Sequence, residues 1–167
     1  MDLIEGEVIE QGKNLKEIDF KGVIIKLINS KFSGYINLLI EGFDGLEEGT
    51  IVMRTGSIIA SSYEYLKHGI IVNGNPAVPQ FFNAAGAAYG VLDIYSFKPT
   101  DAELVIAVNP KVRVTIDIRQ SDIDKLYKKI FSDVYAKKIL AMVSEQKPSK
   151  YEALKKLGLG EVVESET

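Results

Sequence analysis

The chain has 167 residues, 46% of them hydrophobic and 26% charged, with a formal charge of −3 at pH 7, the balance of one soluble globular domain with enough apolar surface for a sizeable core. It holds no cysteine, no tryptophan and a single histidine, which excludes disulfides, thiolate metal sites and cysteine nucleophiles and leaves no cofactor or metal expected. The acidic balance makes nucleic acid an unpromising partner, since phosphate binding needs clustered Lys and Arg. Residues 1–11 lack the basic and apolar regions of a secretory signal, and no apolar run nears the ~18 residues of a transmembrane segment, so the cytoplasm is the expected compartment.

Leu3, Ile4, Val8 and Ile9, set among Glu5, Glu7 and Glu10, read as a first short strand. From Asn14, a candidate N-cap, Leu15, Ile18, Val23, Ile24, Leu27 and Ile28 fall near helical spacing and predict an amphipathic helix. Ser33-Gly34 ends it and Tyr35 to Ile40 begins a core strand. The acidic stretch Glu41–Gly49 reads as a hairpin loop longer than the two-residue type. Thr50 to Arg54 returns as a strand, Thr55-Gly56 turns the chain, and Ser57 to Tyr63 leaves as the next strand.

Tyr63 to Asn75 reads as a connector, and Asn75-Pro76 as the start of a helix that Tyr89-Gly90 stops, with Val78, Phe81, Phe82 and Ala85 on one apolar face. Val91 to Phe97 is a further strand and Pro99 to Ala107 a short helix stopped at Asn109-Pro110. Val112, Val114, Ile116 and Ile118 alternate with polar residues and predict a half-buried strand. Ser121 to Asp124 resembles a capping box, and Ile123, Leu126, Tyr127, Ile130, Phe131 and Val134 predict one helix reaching about Val143. Gln146-Lys-Pro148 breaks that helix, Ser149–Glu152 is a second capping signature, and the tail from Glu161 is expected to fray.

Residues 1–120 carry 11 basic and 15 acidic side chains, whereas residues 121–160 carry 9 and 5. The expected organisation is a core domain over 1–120 and a helical C-terminal extension over 121–167. The fold class is α+β, an antiparallel sheet of about five or six strands with packed helices.

No residue set has the spacing of a known chemistry. His68 has no partner visible in the sequence, and a solvated loop explains it. Gly42, Gly45 and Gly49 fit neither a phosphate loop nor a dinucleotide fingerprint, and Asp44, Glu47 and Glu48 fit no EF-hand spacing. Tyr35, Tyr63, Tyr65, Tyr89 and Tyr95 lack the basic groove that accompanies base stacking, which favours packing roles. Tyr63 and Tyr65, at a strand exit, stand out as exposed aromatics for a protein contact. Lys125, Lys128 and Lys129, with Lys137 and Lys138, recur opposite an apolar stripe and suit an acidic partner, a membrane surface or a solvated face.

The segments Phe32-Ser-Gly-Tyr-Ile36, Ile51-Val-Met-Arg-Thr-Gly-Ser-Ile-Ile-Ala60 and Gly90-Val-Leu-Asp-Ile-Tyr95 resemble the PATAN-like family, in a form similar to uncharacterised archaeal proteins. The resemblance runs from about Phe20 to Pro110. It implies a protein-interaction module of prokaryotic signalling, although the chain lacks a recognisable receiver or catalytic domain. The expectation is therefore a non-enzymatic interaction or regulatory module with a protein partner, with a homodimer through the C-terminal helix as one form of it. The alternatives are a small-ligand sensor or hydrolase built on His68 and the loop carboxylates, and nucleic-acid or membrane-surface attachment through the basic C-terminal helices.

Overall fold

A computed structural model describes residues 1–146. Residues 1–133 form one compact unit, and a helix, Val134–Gln146, belongs to a second. The Ser149–Glu152 capping signature and the tail lie outside the described residues.

The first unit is built on a six-stranded antiparallel sheet, which makes the fold α+β. In chain order its elements are β1 (Glu7–Asn14), α1 (Phe20–Asn29), β2 (Gly34–Gly42), β3 (Gly45–Arg54), β4 (Ser57–Tyr65), β5 (Ile70–Asn73), α2 (Ala77–Ala84), β6 (Gly90–Ser96), α3 (Pro99–Val108) and α4 (Gln120–Leu126). The helix of the second unit is α5. The strands lie in the order β1-β6-β2-β3-β4-β5. β2, β3 and β4 form the meander expected from two tight turns, and β6 inserts between β1 and β2.

Strand alternation gives the two faces different covers. On one face Ile36, Leu38, Ile40, Ile51, Met53, Leu92 and Ile94 are buried, and Phe20 and Ile24 of α1 with Val78, Phe81 and Phe82 of α2 are buried in the same unit. Phe20 lies 6.1 Å from Phe81, 6.0 Å from Phe82 and 5.2 Å from Tyr127, ring centre to ring centre. On the other face Tyr35, Val52 and Ala60 form a cluster with Ala102, Val105 and Ile106 of α3, and Met1, Leu3 and Ile4 pack against it. Only one end of this second face is covered in that way.

Several local expectations need correction. The first strand starts at Glu7 rather than Leu3, because Leu3 and Ile4 turn into the α3 cluster and leave Val8 and Ile9 half exposed on the strand. Asn14 caps a single 3-10 turn, its side chain accepting from Lys16 N at 3.0 Å, and α1 begins only at Phe20. The Glu41–Gly49 loop is mostly ladder: Gly42 pairs with Gly45, so Phe43 and Asp44 alone make the turn. Gly49 sits opposite Tyr63 because a Cβ there would meet the Phe81 and Tyr63 rings at 3.0 Å. The connector after Tyr63 contains β5, which extends the sheet beside Ser62–Tyr65.

Val112 to Ile118 does not form a strand. The segment makes one bridge, Arg113 to Ala60, with Val114 N donating to Ile59 O at 2.8 Å. The Asn75 side chain then accepts from Thr115 N at 2.8 Å and Ile116 N at 3.4 Å, taking donors that a ladder would need.

The helix expected from Ser121 to Val143 is two helices. α4 starts one residue earlier, with Asp122 Oδ2 accepting from Arg119 N at 2.9 Å, and ends at Leu126. Between α4 and α5 the chain takes φ +60° at Lys129 and binds the end of α2. Phe131 N donates to Gly86 O at 3.1 Å, Ser132 N to Asn83 Oδ1 at 2.9 Å, and Asn83 Nδ2 to Ser132 O at 2.8 Å. A Cβ on Gly86 would meet Ile130 C at 2.8 Å and Ile130 N at 2.9 Å. Gly86→Val should therefore displace residues 127–133 at a cost of roughly 1–3 kcal/mol, seen as faster amide hydrogen exchange confined to that segment and the end of α2. Unchanged exchange there would contradict this contact.

Candidate interaction surface

Tyr63 and Tyr65 are not exposed aromatics. They alternate with the outward Glu64, so both rings face the α2 side, at 1% and 3% exposure. Tyr63 OH donates to Glu47 Oε2 at 2.5 Å, Glu47 Oε1 accepts from Phe43 N at 3.1 Å, and Tyr65 OH donates to Gln80 Oε1 at 2.7 Å. Burial, then the negative charge of Glu47 and the bond to it, raise the Tyr63 phenol far above the ordinary tyrosine range. This network closes the core beneath the β2–β3 turn. The other tyrosines divide as well: Tyr35 and Tyr95 stack at 4.8 Å on the α3 face, while Tyr89 is exposed under Lys16 Nζ at 4.2 Å. They make no common stacking surface.

Lys125 lies on α4 and approaches Asp122 at 3.9 Å, while Lys128 donates to Asp124 O at 3.3 Å from the segment after the helix, where Lys129 also lies. The three lysines thus do not form a single helical stripe. Lys137 and Lys138 belong to α5 of the second unit.

His68 does find a loop carboxylate. Its Nε2 is 2.9 Å from Asp44 Oδ2, and Lys67 Nζ donates to Asp44 Oδ1 at 2.6 Å. Hydrogen bonds from Lys67 and then His68 hold the Asp44 carboxyl below its usual range. The three side chains sit at the solvent-facing tip of the β2–β3 hairpin, between 30% and 59% exposed. A carboxylate bound to a lysine there serves as a surface clasp of the turn to the segment after β4.

A groove of about 700 Å³ lies between α3 and the outer side of β4. Ile59, Leu104, Ile106, Ala107 and Val114 supply its apolar lining, and Arg54, Arg113, Thr100 and Glu103 its polar lining. Arg54 forms an ion pair with Glu103 that ties β3 to α3. β5 pairs only with Ser62–Tyr65 and the 113–114 segment meets β4 only at Ala60 and Ile59, so the start of β4 has no strand on its outer side. Unpaired edge groups beside an apolar trough can accept an extended peptide as an added strand. The sequence carried no signal for it, since its walls come from β3, β4, α3 and the 113–114 segment.

Residues 1–109 match the family described as an uncharacterized protein conserved in archaea (DUF2226). The chain belongs to this family. The match includes every element from β1 through α3, and it is a match to this family rather than to the PATAN-like domains that the strand motifs resemble. Most of the groove lies inside the family segment, whereas Arg113 and Val114 follow it. No curated protein and no solved structure matches the chain. Among the described residues, no helix is long and apolar enough to cross a membrane and no group of three or more acidic, histidine or cysteine side chains is placed to hold a metal ion.

Proposed function

We propose that this archaeal family member is a non-enzymatic protein-interaction module, and that the groove between α3 and β4 receives an extended segment of a protein partner. The observation that carries the reading is the apolar trough of Ile59, Leu104, Ile106, Ala107 and Val114, with Arg54 and Arg113 at its rim, next to a β4 edge that β5 leaves unpaired before Ser62. Backbone groups of the edge would supply affinity, the trough would select apolar side chains at alternate positions, and Arg113 would favour an acidic residue among them. The likeness of the strand motifs to PATAN-like domains supports a role in prokaryotic signalling, and the cysteine-free composition supports a cytoplasmic setting. Self-association through residues 134–167 is a further part of this reading.

The test is affinity capture from native cell extract with the full chain beside Leu104→Glu and Arg113→Glu variants. Leu104 is 53% exposed and Arg113 is exposed, so both variants should stay folded by circular dichroism. A specific protein retained by the parent chain and reduced at least about tenfold by either variant supports the groove, as expected for loss of a central contact. Equal retention by all three removes it. Light scattering on a chain ended at Asp133, which keeps the first unit whole, tests self-association.

A further inference from the structure

Beyond the groove, we infer that the uncovered end of the sheet's α3 face is a second docking surface, and that its occupant is a basic amphipathic helix of a partner protein. α3 and the N-terminal residues cover Tyr35, Val52 and Ala60, and Met1 and Leu3 reach on over the buried Thr50 and Ser62 as far as the near side of Glu48 and Glu64. Below them a polar row crosses the sheet in register, Asp93, Asn37, Thr50, Ser62 and Asn73. The next row is Val91, Leu39, Glu48, Glu64 and Ile71, and Glu41 beside Leu46 follows it.

Two properties of these rows point to the occupant. Leu39, Leu46, Ile71 and Val91 are between 38% and 52% exposed at positions where a solvated antiparallel face would carry polar residues. Around them stand Glu41, Glu48, Glu64 and Asp93, with Glu48 and Glu64 directly opposite one another, an arrangement of like charges that disfavours the bare sheet. β2, β4, β5 and β6 contain no Lys or Arg, and the one in β3, Arg54, is at the far end beside Glu103. The strands of this face thus carry apolar and acidic side chains, with Lys16 over Tyr89 and Lys67 against Gly45 as cations at its margin.

A second copy meeting this face with its own would set carboxylates against carboxylates, and a nucleic acid or an anionic lipid surface would be repelled. A flat sheet face rather than an edge takes a helix, as the helices of this fold already do. The five strands from β6 to β5 span about 19 Å at ~4.8 Å spacing, enough for roughly three and a half helical turns. One apolar stripe of such a helix would rest on Leu39, Leu46, Ile71 and Val91, and flanking lysines would reach Glu41, Glu48, Glu64 and Asp93. The area is well below the ~800 Å² per partner of a standard interface, so the complex belongs to the weak, rapidly exchanging class.

The test uses an 18-residue synthetic peptide of leucine and lysine with leucine at helical i, i+3, i+4, i+7 spacing, beside a scrambled peptide of the same composition and a leucine–glutamate peptide of the same pattern. Binding to the full chain is read by fluorescence anisotropy and by amide shifts in NMR. The patterned lysine peptide should bind in the micromolar range, weaken with salt, and shift amides of β2, β3, β4 and β6. Glu48→Lys with Glu64→Lys, or Leu39→Ser with Leu46→Ser, should weaken it about tenfold, while Arg113→Glu in the groove should bind as the parent does. Equal binding of the scrambled peptide, indifference to the face variants, or loss of binding in the Arg113→Glu variant would overturn the inference. None of these outcomes depends on the fate of the groove reading, which concerns a different surface and an extended ligand.

Discussion

Phe20→Ala should be among the most damaging single substitutions in the first unit, lowering stability by about 3–5 kcal/mol and Tm by roughly 10 °C. The side chain is 1% exposed and its ring meets Phe81, Phe82 and Tyr127 at once, so truncation opens a cavity where α1, α2 and the end of α4 converge. Thermal unfolding followed by circular dichroism measures the effect. The same site tests how residues 120–133 are held. Ile123 is fully buried and Tyr127 lies 5.2 Å from Phe20, so α4 completes this core. In a double-mutant cycle, Phe20→Leu and Tyr127→Leu should show a coupling of roughly 0.5–1.5 kcal/mol. Additive losses would mean that the two rings do not depend on each other, and a Phe20→Ala cost under about 1 kcal/mol would contradict the cluster.

Tyr63→Phe should cost about 1.5–3 kcal/mol near neutral pH, because it removes the hydroxyl bonded to Glu47 and leaves Glu47 Oε2 buried without that donor. The substitution also changes how stability depends on pH. The folded-state phenol of Tyr63 is raised, first by burial and then by Glu47, whereas an unfolded tyrosine titrates near ~10. A group with a raised folded pKa contributes stability that is fully present below the unfolded value and is lost as pH climbs above it. The parent protein should thus lose stability above about pH 10, and the Tyr63→Phe chain should lose less over the same interval. The slope should flatten without vanishing, since burial also raises Tyr35 and Tyr127. Urea midpoints measured from pH 8 to 11 decide the matter, and parallel curves for the two proteins would refute the coupling.

The groove and the sheet face differ in how far the chain announced them. The acidic residues of the face were plain in the sequence, and so was the alternation that puts Glu64 outward, yet the same alternation should have sent Tyr63 and Tyr65 inward. Their place at a strand exit points to exposure, but the period of two prevails, and Glu47 and Gln80 supply the polar partners that let both rings be buried. Lys125, Lys128 and Lys129 looked like a stripe because the apolar spacing continued through Tyr127, Ile130 and Phe131. Nothing local announces that Ser132 and Phe131 would exchange hydrogen bonds with Asn83 and Gly86, some 45 to 49 residues away.

What the sequence determined by itself was the α+β class, the β2–β3–β4 meander, α2 with its buried Val78, Phe81 and Phe82, β6 and α3. Each follows from short-range physics: a period of two or near 3.6, a turn residue or proline at its boundary, and an apolar face to bury. The tertiary structure alone decided the ends and the exceptions. β1 starts late because Leu3 and Ile4 are drawn into the α3 cluster, Val112–Ile118 fails as a strand because Asn75 takes its donors, and the 121–143 helix divides because the end of α2 binds its middle. Backbone groups must find partners somewhere, and when a distant side chain or carbonyl offers one, it overrides a periodic pattern that local spacing had made sufficient.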